Sequence, residues 1–230
     1  MLELLLNQEM QGIILRTMRM TLTSTAISAI LGIPFGIWLA QTKPRHPILK
    51  FLKNLLVSIK RTLMGLPPVV AGLITFLLFM RTGPFGGLGL MFTFQIMVIA
   101  QVILITPIIA GIVYMAASRH VNHIQAFART MGATKLQTQV LIIKELSNEI
   151  FFSIVTGFGR AMSEVGAIFM VGGNIRHQTR TMTTIIALDV NRGFRDQAIL
   201  MGALLLLIAF TIQIVADFFR RRERRTDENF

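Results

Sequence analysis

Apolar runs of about 20 residues, recurring between short basic segments, constrain this chain more than any other feature, because a helix of that length spans the hydrocarbon core of a bilayer. Five such runs occupy 20–40, 62–80, 94–117, 151–171 and 198–219. Charged residues make up only 15% of the 230 positions, against about 25% in ordinary soluble domains, so they are too few to coat a globule of this size. The pattern predicts an all-α integral membrane protein, with 1–230 a single transmembrane domain of about five transmembrane helices. Segment 1–15 is amphipathic and reads either as a surface helix or as an extension of the first span. Glu3 and Glu9 stand where a removable leader carries basic residues, and no small-residue cleavage site follows, so the first span is expected to stay in the mature chain.

The formal charge of +12 raises the question of nucleic-acid binding, but the basic residues sit beside the apolar runs, and stacking aromatics are scarce, with one Trp and one Tyr. The expected medium is membrane lipid, with no nucleic-acid partner. Lys and Arg number fifteen in the segments after the first and third runs and in the C-terminal tail, against seven on the opposite side. By the positive-inside rule the N-terminus lies outside and the C-terminus in the cytoplasm. Arg160 is the basic residue left inside a span.

Pro34, Pro67, Pro68 and Pro107 fall within the runs, where membrane helices tolerate bends because neighbours satisfy the freed backbone groups. Stretch 181–190 is apolar but about ten residues long, too short to cross, and reads as a re-entrant or interfacial piece. There is no Cys, hence no disulfide or thiolate metal site. A phosphate-binding GxxxxGK[ST] loop is missing, and His46, His120, His123 and His177 lack metal-ligand spacing, so neither a catalytic residue nor a bound metal or cofactor is expected.

Arg160 and Glu164 are four apart and expected to share one face of the fourth span. Ionisable groups at that depth face protein or water and find partners; the pair reads as a buried structural ion pair or as a pore or gate element together with Ser163. Glycines 157, 159, 166, 172 and 173 thin this helix for close approach of a second one. Beyond it, Asn174, Arg176, Thr179, Arg180 and Thr181 group donors suited to an oxyanion, a composition that a solvated loop also has.

The segment Gln125-Ala-Phe-Ala-Arg-Thr-Met-Gly-Ala-Thr-Lys-Leu-Gln-Thr resembles the EAA loop of binding-protein-dependent ABC importer permeases. Ala126 and Phe127 stand at the usual Glu and first Ala, Ala128 and Gly132 are retained, and Lys144-Glu145 replaces the usual Leu-Pro. Gly65-Leu-Pro-Pro-Val-Val-Ala-Gly-Leu, Arg81-Thr-Gly-Pro-Phe-Gly-Gly-Leu-Gly and Gly159-Arg-Ala-Met-Ser-Glu-Val-Gly-Ala look like the molybdate, tungstate and sulfate group. Val171-Gly-Gly-Asn-Ile-Arg and Thr179-Arg-Thr-Met-Thr-Thr look most like its tungstate-type members.

The resemblance implies a type I importer permease in a bacterial inner membrane. Two copies of the chain would form one pore, with two ATP-binding-cassette subunits holding ATP and Mg below and an extracytoplasmic oxyanion-binding protein above. Loop 118–146 would be the cytoplasmic coupling loop, with Ala126, Phe127, Ala128, Arg129, Gly132 and Ala133 docking on the ATPase, whose closure would shift the pore outward-facing. The cargo would be tungstate, with molybdate or sulfate as the alternative. A stand-alone secondary transporter or channel, using Arg160 and Glu164 as a relay, and a membrane scaffold without flux are the competing classes.

Overall fold

A computed structural model describes residues 8–227, and every regular element among them is helical. Of the two readings of segment 1–15, the extension of the first span is the one found from Gln8 onward; residues 1–7 lie outside the described part. The helices are α1 (Gln8–Gln41), α2 (Pro47–Met64), α3 (Pro68–Phe79), α4 (Phe94–Thr130), α5 (Lys135–Glu145), α6 (Ser147–Met162), α7 (Gly166–Gly172), α8 (Met182–Arg192) and α9 (Arg195–Asp227). Among the described residues, α1, α4 and the Arg195–Ala216 part of α9 are each long and apolar enough to cross a membrane. Two broken pairs, α2 with α3 and α6 with α7, bring the total to five if each pair is one span.

The expected run 62–80 is not one helix. Its first residues close α2, which ends at Met64, and α3 begins anew at Pro68. Pro67 and Pro68 have no N–H to continue the hydrogen-bond ladder, and Pro disfavours the helical region for the residue before it, so the pair starts a helix instead of bending one. Similarly, the fourth run breaks by 57° between Met162 and Gly166. Arg160 and Glu164 therefore do not share a continuous helical face: Arg160 is in the last turn of α6, and Glu164 stands in the break.

Contacts divide the described residues into two compact units, with Thr25–Leu66 and Val102–Gly157 in one and the remainder in the other. Within the first unit α1 crosses α4 backbone to backbone. A Cβ on Gly36 would lie 2.7 Å from the Ala110 carbonyl oxygen, so only a residue without a side chain permits the approach. Gln41 and Gln139 exchange amide hydrogen bonds of 3.0 and 3.1 Å, and the Lys60 ammonium sits 3.8 Å from the centre of the Tyr114 ring.

In the second unit α3 lies against α7, where a Cβ on Gly72 would come 2.7 Å from the Ala167 Cα. Ile13, Met182 and Met201 form a buried cluster that joins the start of α1 to α8 and α9. A polar chain runs through the same unit: Ser24 Oγ donates to Gln101 Oε1 at 2.6 Å, and Gln101 Nε2 donates to the Ala161 carbonyl at 2.8 Å. In a hydrocarbon setting such groups have no water to turn to, and pairing them across helices holds the helices in register.

Candidate functional site

Two regions collect the residues singled out from the sequence, and each belongs to one unit. The first is the turn between α4 and α5. Helix α4 runs into the segment and stops at Thr130; Gly132 adopts φ +67, a left-handed conformation that favours a residue without Cβ. The Ala133 N–H returns to the Ala128 carbonyl at 2.9 Å, closing the helix end. Thr134 then opens α5 with a capping box, its side chain accepting from the Gln137 N–H at 3.3 Å while Gln137 Oε1 accepts from the Thr134 N–H at 2.8 Å.

This helix–turn–helix buries Ala128 at 1% exposure and leaves Ala126, Phe127 and Arg129 outside, with Ala133 half-buried. Phe127 is 59% exposed, and Met131, Leu136, Val140 and Ile143 add further apolar surface. Exposed apolar side chains collected on an otherwise basic and polar segment suit a surface that meets another protein or the membrane.

The second region surrounds the break between α6 and α7. The Glu164 side chain is buried; its Oε1 accepts the Ala167 N–H at 3.0 Å, and its Oε2 lies 3.9 Å from Arg160 Nη2. Glu164 thus satisfies one of the N–H groups that the start of α7 leaves open, and its negative charge suits that helix end. Thr183 from α8 donates to the Glu164 carbonyl oxygen at 2.8 Å, tying the break to the following helix. Ser163 is exposed and donates to the Arg160 carbonyl oxygen at 3.1 Å.

Loop 173–181 shows which of its donors face outward. Asn174, Thr179 and Thr181 do not: Asn174 Oδ1 accepts from Thr184 Oγ1 at 2.9 Å, Thr179 Oγ1 donates to the Gly172 carbonyl and accepts from the Ile175 N–H, and Thr181 Oγ1 caps α8 by accepting from the Thr184 N–H. Their hydroxyl and amide groups shape the loop, and all three residues are buried.

Arg176 and Arg180 converge on Glu9 from the first turn of α1. Glu9 accepts from Arg176 Nε at 2.8 Å and from Arg176 Nη2, and Arg180 Nη1 lies 3.3 Å from its Oε1. The Arg176 hydrogen bonds hold the Glu9 carboxyl below the ordinary carboxylate range, against desolvation, which acts the other way. Arg16, about two helical turns further along α1, donates to the Arg180 and His177 carbonyl oxygens at 2.7 and 2.9 Å.

Sequence reasoning found Arg176 and Arg180 but missed Glu9 and Arg16 as their partners. With Glu9 and Arg176 separated by 167 positions, no local spacing signals the pair. Asp189 and Arg192 of α8 belong to the same surroundings; Asp189 lies in the stretch 181–190, read only for its apolar character, and Arg192 entered only the count of basic residues.

The helices define a multi-pass membrane protein, with an exposed turn between α4 and α5 and a broken span at α6 and α7. The chain belongs to the family of binding-protein-dependent transport system inner membrane components, whose model matches residues 32–225. It is 40% identical over 193 residues to the tungstate uptake system permease protein TupB of Peptoclostridium acidaminophilum, covering 84% of this chain and 82% of that one. A probable anion ABC transporter permease protein of Haloferax volcanii is 31% identical over 204 residues, covering 86% of this chain and 85% of that one. The molybdenum transport system permease protein ModB of Azotobacter vinelandii is 26% identical, covering 89% of this chain and 92% of that one.

The fold matches chains of the MetNI methionine ABC transporter in inward-facing conformations. Two of these give TM-scores of 0.71 and 0.72 at 20% and 19% identity, covering 90% and 94% of this chain and 92% and 98% of theirs. At that identity the likeness concerns architecture alone. The fold expected from the sequence, an all-helical ABC importer permease of several apolar helices, is the one found.

Proposed function

We propose that this chain is the pore subunit of an ATP-driven importer of tungstate. The observation that carries the cargo is the gradient of likeness: 40% identity to a tungstate permease, against 26% to the molybdenum permease of Azotobacter vinelandii and 25% to the sulfate permease CysT of Salmonella typhimurium, at similar coverage of this chain. Two copies would enclose the pathway, with the N-terminus outside and the C-terminus in the cytoplasm, as the distribution of Lys and Arg supports.

ATP and Mg would be bound and turned over in two partner ATPases, and an extracytoplasmic binding protein would deliver the anion. The patch formed by Phe127, Met131 and Leu136, presented by a helix end that Ala128 and Gly132 fix in place, would receive the stroke of the ATPase. Glu164 and Arg160 would act at the break between α6 and α7, where a span built from two helices offers a hinge. The test is tungstate accumulation in cells of the source organism with this gene deleted and restored. Loss on deletion and recovery on complementation support the assignment; unchanged tungstate accumulation with impaired uptake of another oxyanion replaces the cargo.

A further inference from the structure

A cavity of about 490 Å³ opens beside the Glu9 clasp, lined by Glu9, Arg176, Arg180, Asp189 and Arg192 over an apolar floor that includes Ile13 and Phe194. All of these belong to one compact unit. Three guanidiniums face two carboxylates there, and burial pushes the Asp189 carboxyl above its ordinary range, which works against its charge.

The donors also outnumber the acceptors. Each guanidinium carries five N–H groups, whereas the Glu9 carboxylate has two oxygens, already engaged by Arg176 Nε, Arg176 Nη2 and Arg180 Nη1. Arg180 Nε is buried with no acceptor among the described residues. Arg192 reaches the same cavity from the last turn of α8. Arg16, in contrast, spends its guanidinium on two backbone carbonyls and so fixes the loop that presents Arg176 and Arg180.

We propose that this cavity is a binding site for a tetrahedral dianion of the oxyanion class, in which the Glu9 carboxylate is a built-in competitor that the anion displaces from Arg176 and Arg180. The proposal rests on the importer reading, which places the cavity on the extracytoplasmic side. A dianion brings four oxygens and twice the charge to donors that one carboxylate leaves partly unused, and bidentate guanidinium forks suit such geometry. Glu9 serves the state without cargo: it neutralises the arginines, keeps loop 173–181 attached to α1, and sets a threshold that weaker or singly charged anions do not meet. The site would take the anion on release from the binding protein, before the pore.

The test uses the whole permease–ATPase complex in nanodiscs, without binding protein, with ATP saturating the nucleotide sites and inorganic tungstate as the probe in equilibrium dialysis. Glu9→Gln removes the competitor and is expected to tighten tungstate binding about tenfold, the gain expected if Glu9 holds the arginines some nine-tenths of the time. Arg192→Gln, which breaks no hydrogen bond described above, is expected to weaken binding several-fold, and it decides the matter if Glu9→Gln fails to assemble. Tungstate binding that is equal in wild type, Glu9→Gln and Arg192→Gln, or absent from complexes that import tungstate when binding protein is added, overturns the site while leaving the importer intact. Absence of ATP-driven oxyanion uptake in wild type with binding protein present overturns the importer reading instead, and the site with it.

Discussion

Replacing Gly72 by Ala is the smallest change that tests the packing between α3 and α7. The new Cβ would stand 2.7 Å from the Ala167 Cα and 3.3 Å from its Cβ, whereas carbon atoms rest at about 3.5–4.0 Å. The neighbouring atom at closest approach is backbone, with no rotamer to turn aside, so the two helices must part by about 1 Å, an overpacking strain of roughly 1–3 kcal/mol. Gly202→Ala in α9 is the matched control: no atom lies within 4 Å of its added Cβ, and the gain in helix propensity is roughly 0.5–1 kcal/mol. Thermal unfolding of the detergent-solubilised chain should show Gly72→Ala melting lower, by about 2–4 °C per kcal/mol, and Gly202→Ala level with or above wild type. If both variants melt together, the close approach of α3 to α7 is refuted.

Other substitutions address the remaining elements. Glu164→Ala leaves the buried Ala167 N–H without its acceptor and should cost about 1–3 kcal/mol in the same melt, whereas Glu164→Gln keeps an accepting oxygen and most of the stability; equal losses would show that the hydrogen bond is not what Glu164 contributes. Gly132→Ala forces a Cβ into φ +67 at a cost of about 1–2 kcal/mol, with Gly132→Asn milder, so ATP-driven uptake should fall in the order Gly, Asn, Ala; the reverse order would contradict the strained turn. Phe127→Asp, at an exposed position, should leave the melting temperature of the permease unchanged and abolish co-purification of the ATPase; retained co-purification would move the docking surface elsewhere. Because the folded-state pKa of Glu9 is lowered, its contribution is present above the ordinary carboxylate pKa and lost as pH falls through the lowered value. A melt against pH should therefore lose an acid-sensitive component in Glu9→Gln, and identical profiles would show that the clasp contributes nothing.

The membrane class and the family could be read from sequence because they rest on local signals: run length, flanking charge and motifs within a dozen residues. The helix breaks were only half legible. Pro67 and Pro68 marked the position, yet a proline bends one membrane helix and begins another; here the adjacent pair ends the ladder of α2 and opens α3, whose packing on the backbone of Ala167, far along the chain, left no local signal. Glu164 was legible as an ionisable group that needs a partner; its role as acceptor for the Ala167 N–H depends on the helix stopping at Met162, which spacing alone does not reveal. Asn174, Thr179 and Thr181 read as donors available to a ligand, but their partners, among them Gly172 at the end of α7 and Thr184 in α8, flank the same loop, and its closure consumed them. Glu9 and Arg16 carried no signal, since a contact across more than 160 residues leaves no trace in one sequence.

The most direct measurement is uptake by proteoliposomes holding this chain with its partner ATPase, given the binding protein and tungstate outside and ATP within, with molybdate and sulfate as competitors. Accumulation that requires both ATP and the ATPase, and that excess tungstate suppresses far better than molybdate or sulfate, is the predicted result. Uptake by the chain alone, driven by an ion gradient without the ATPase, would contradict the account.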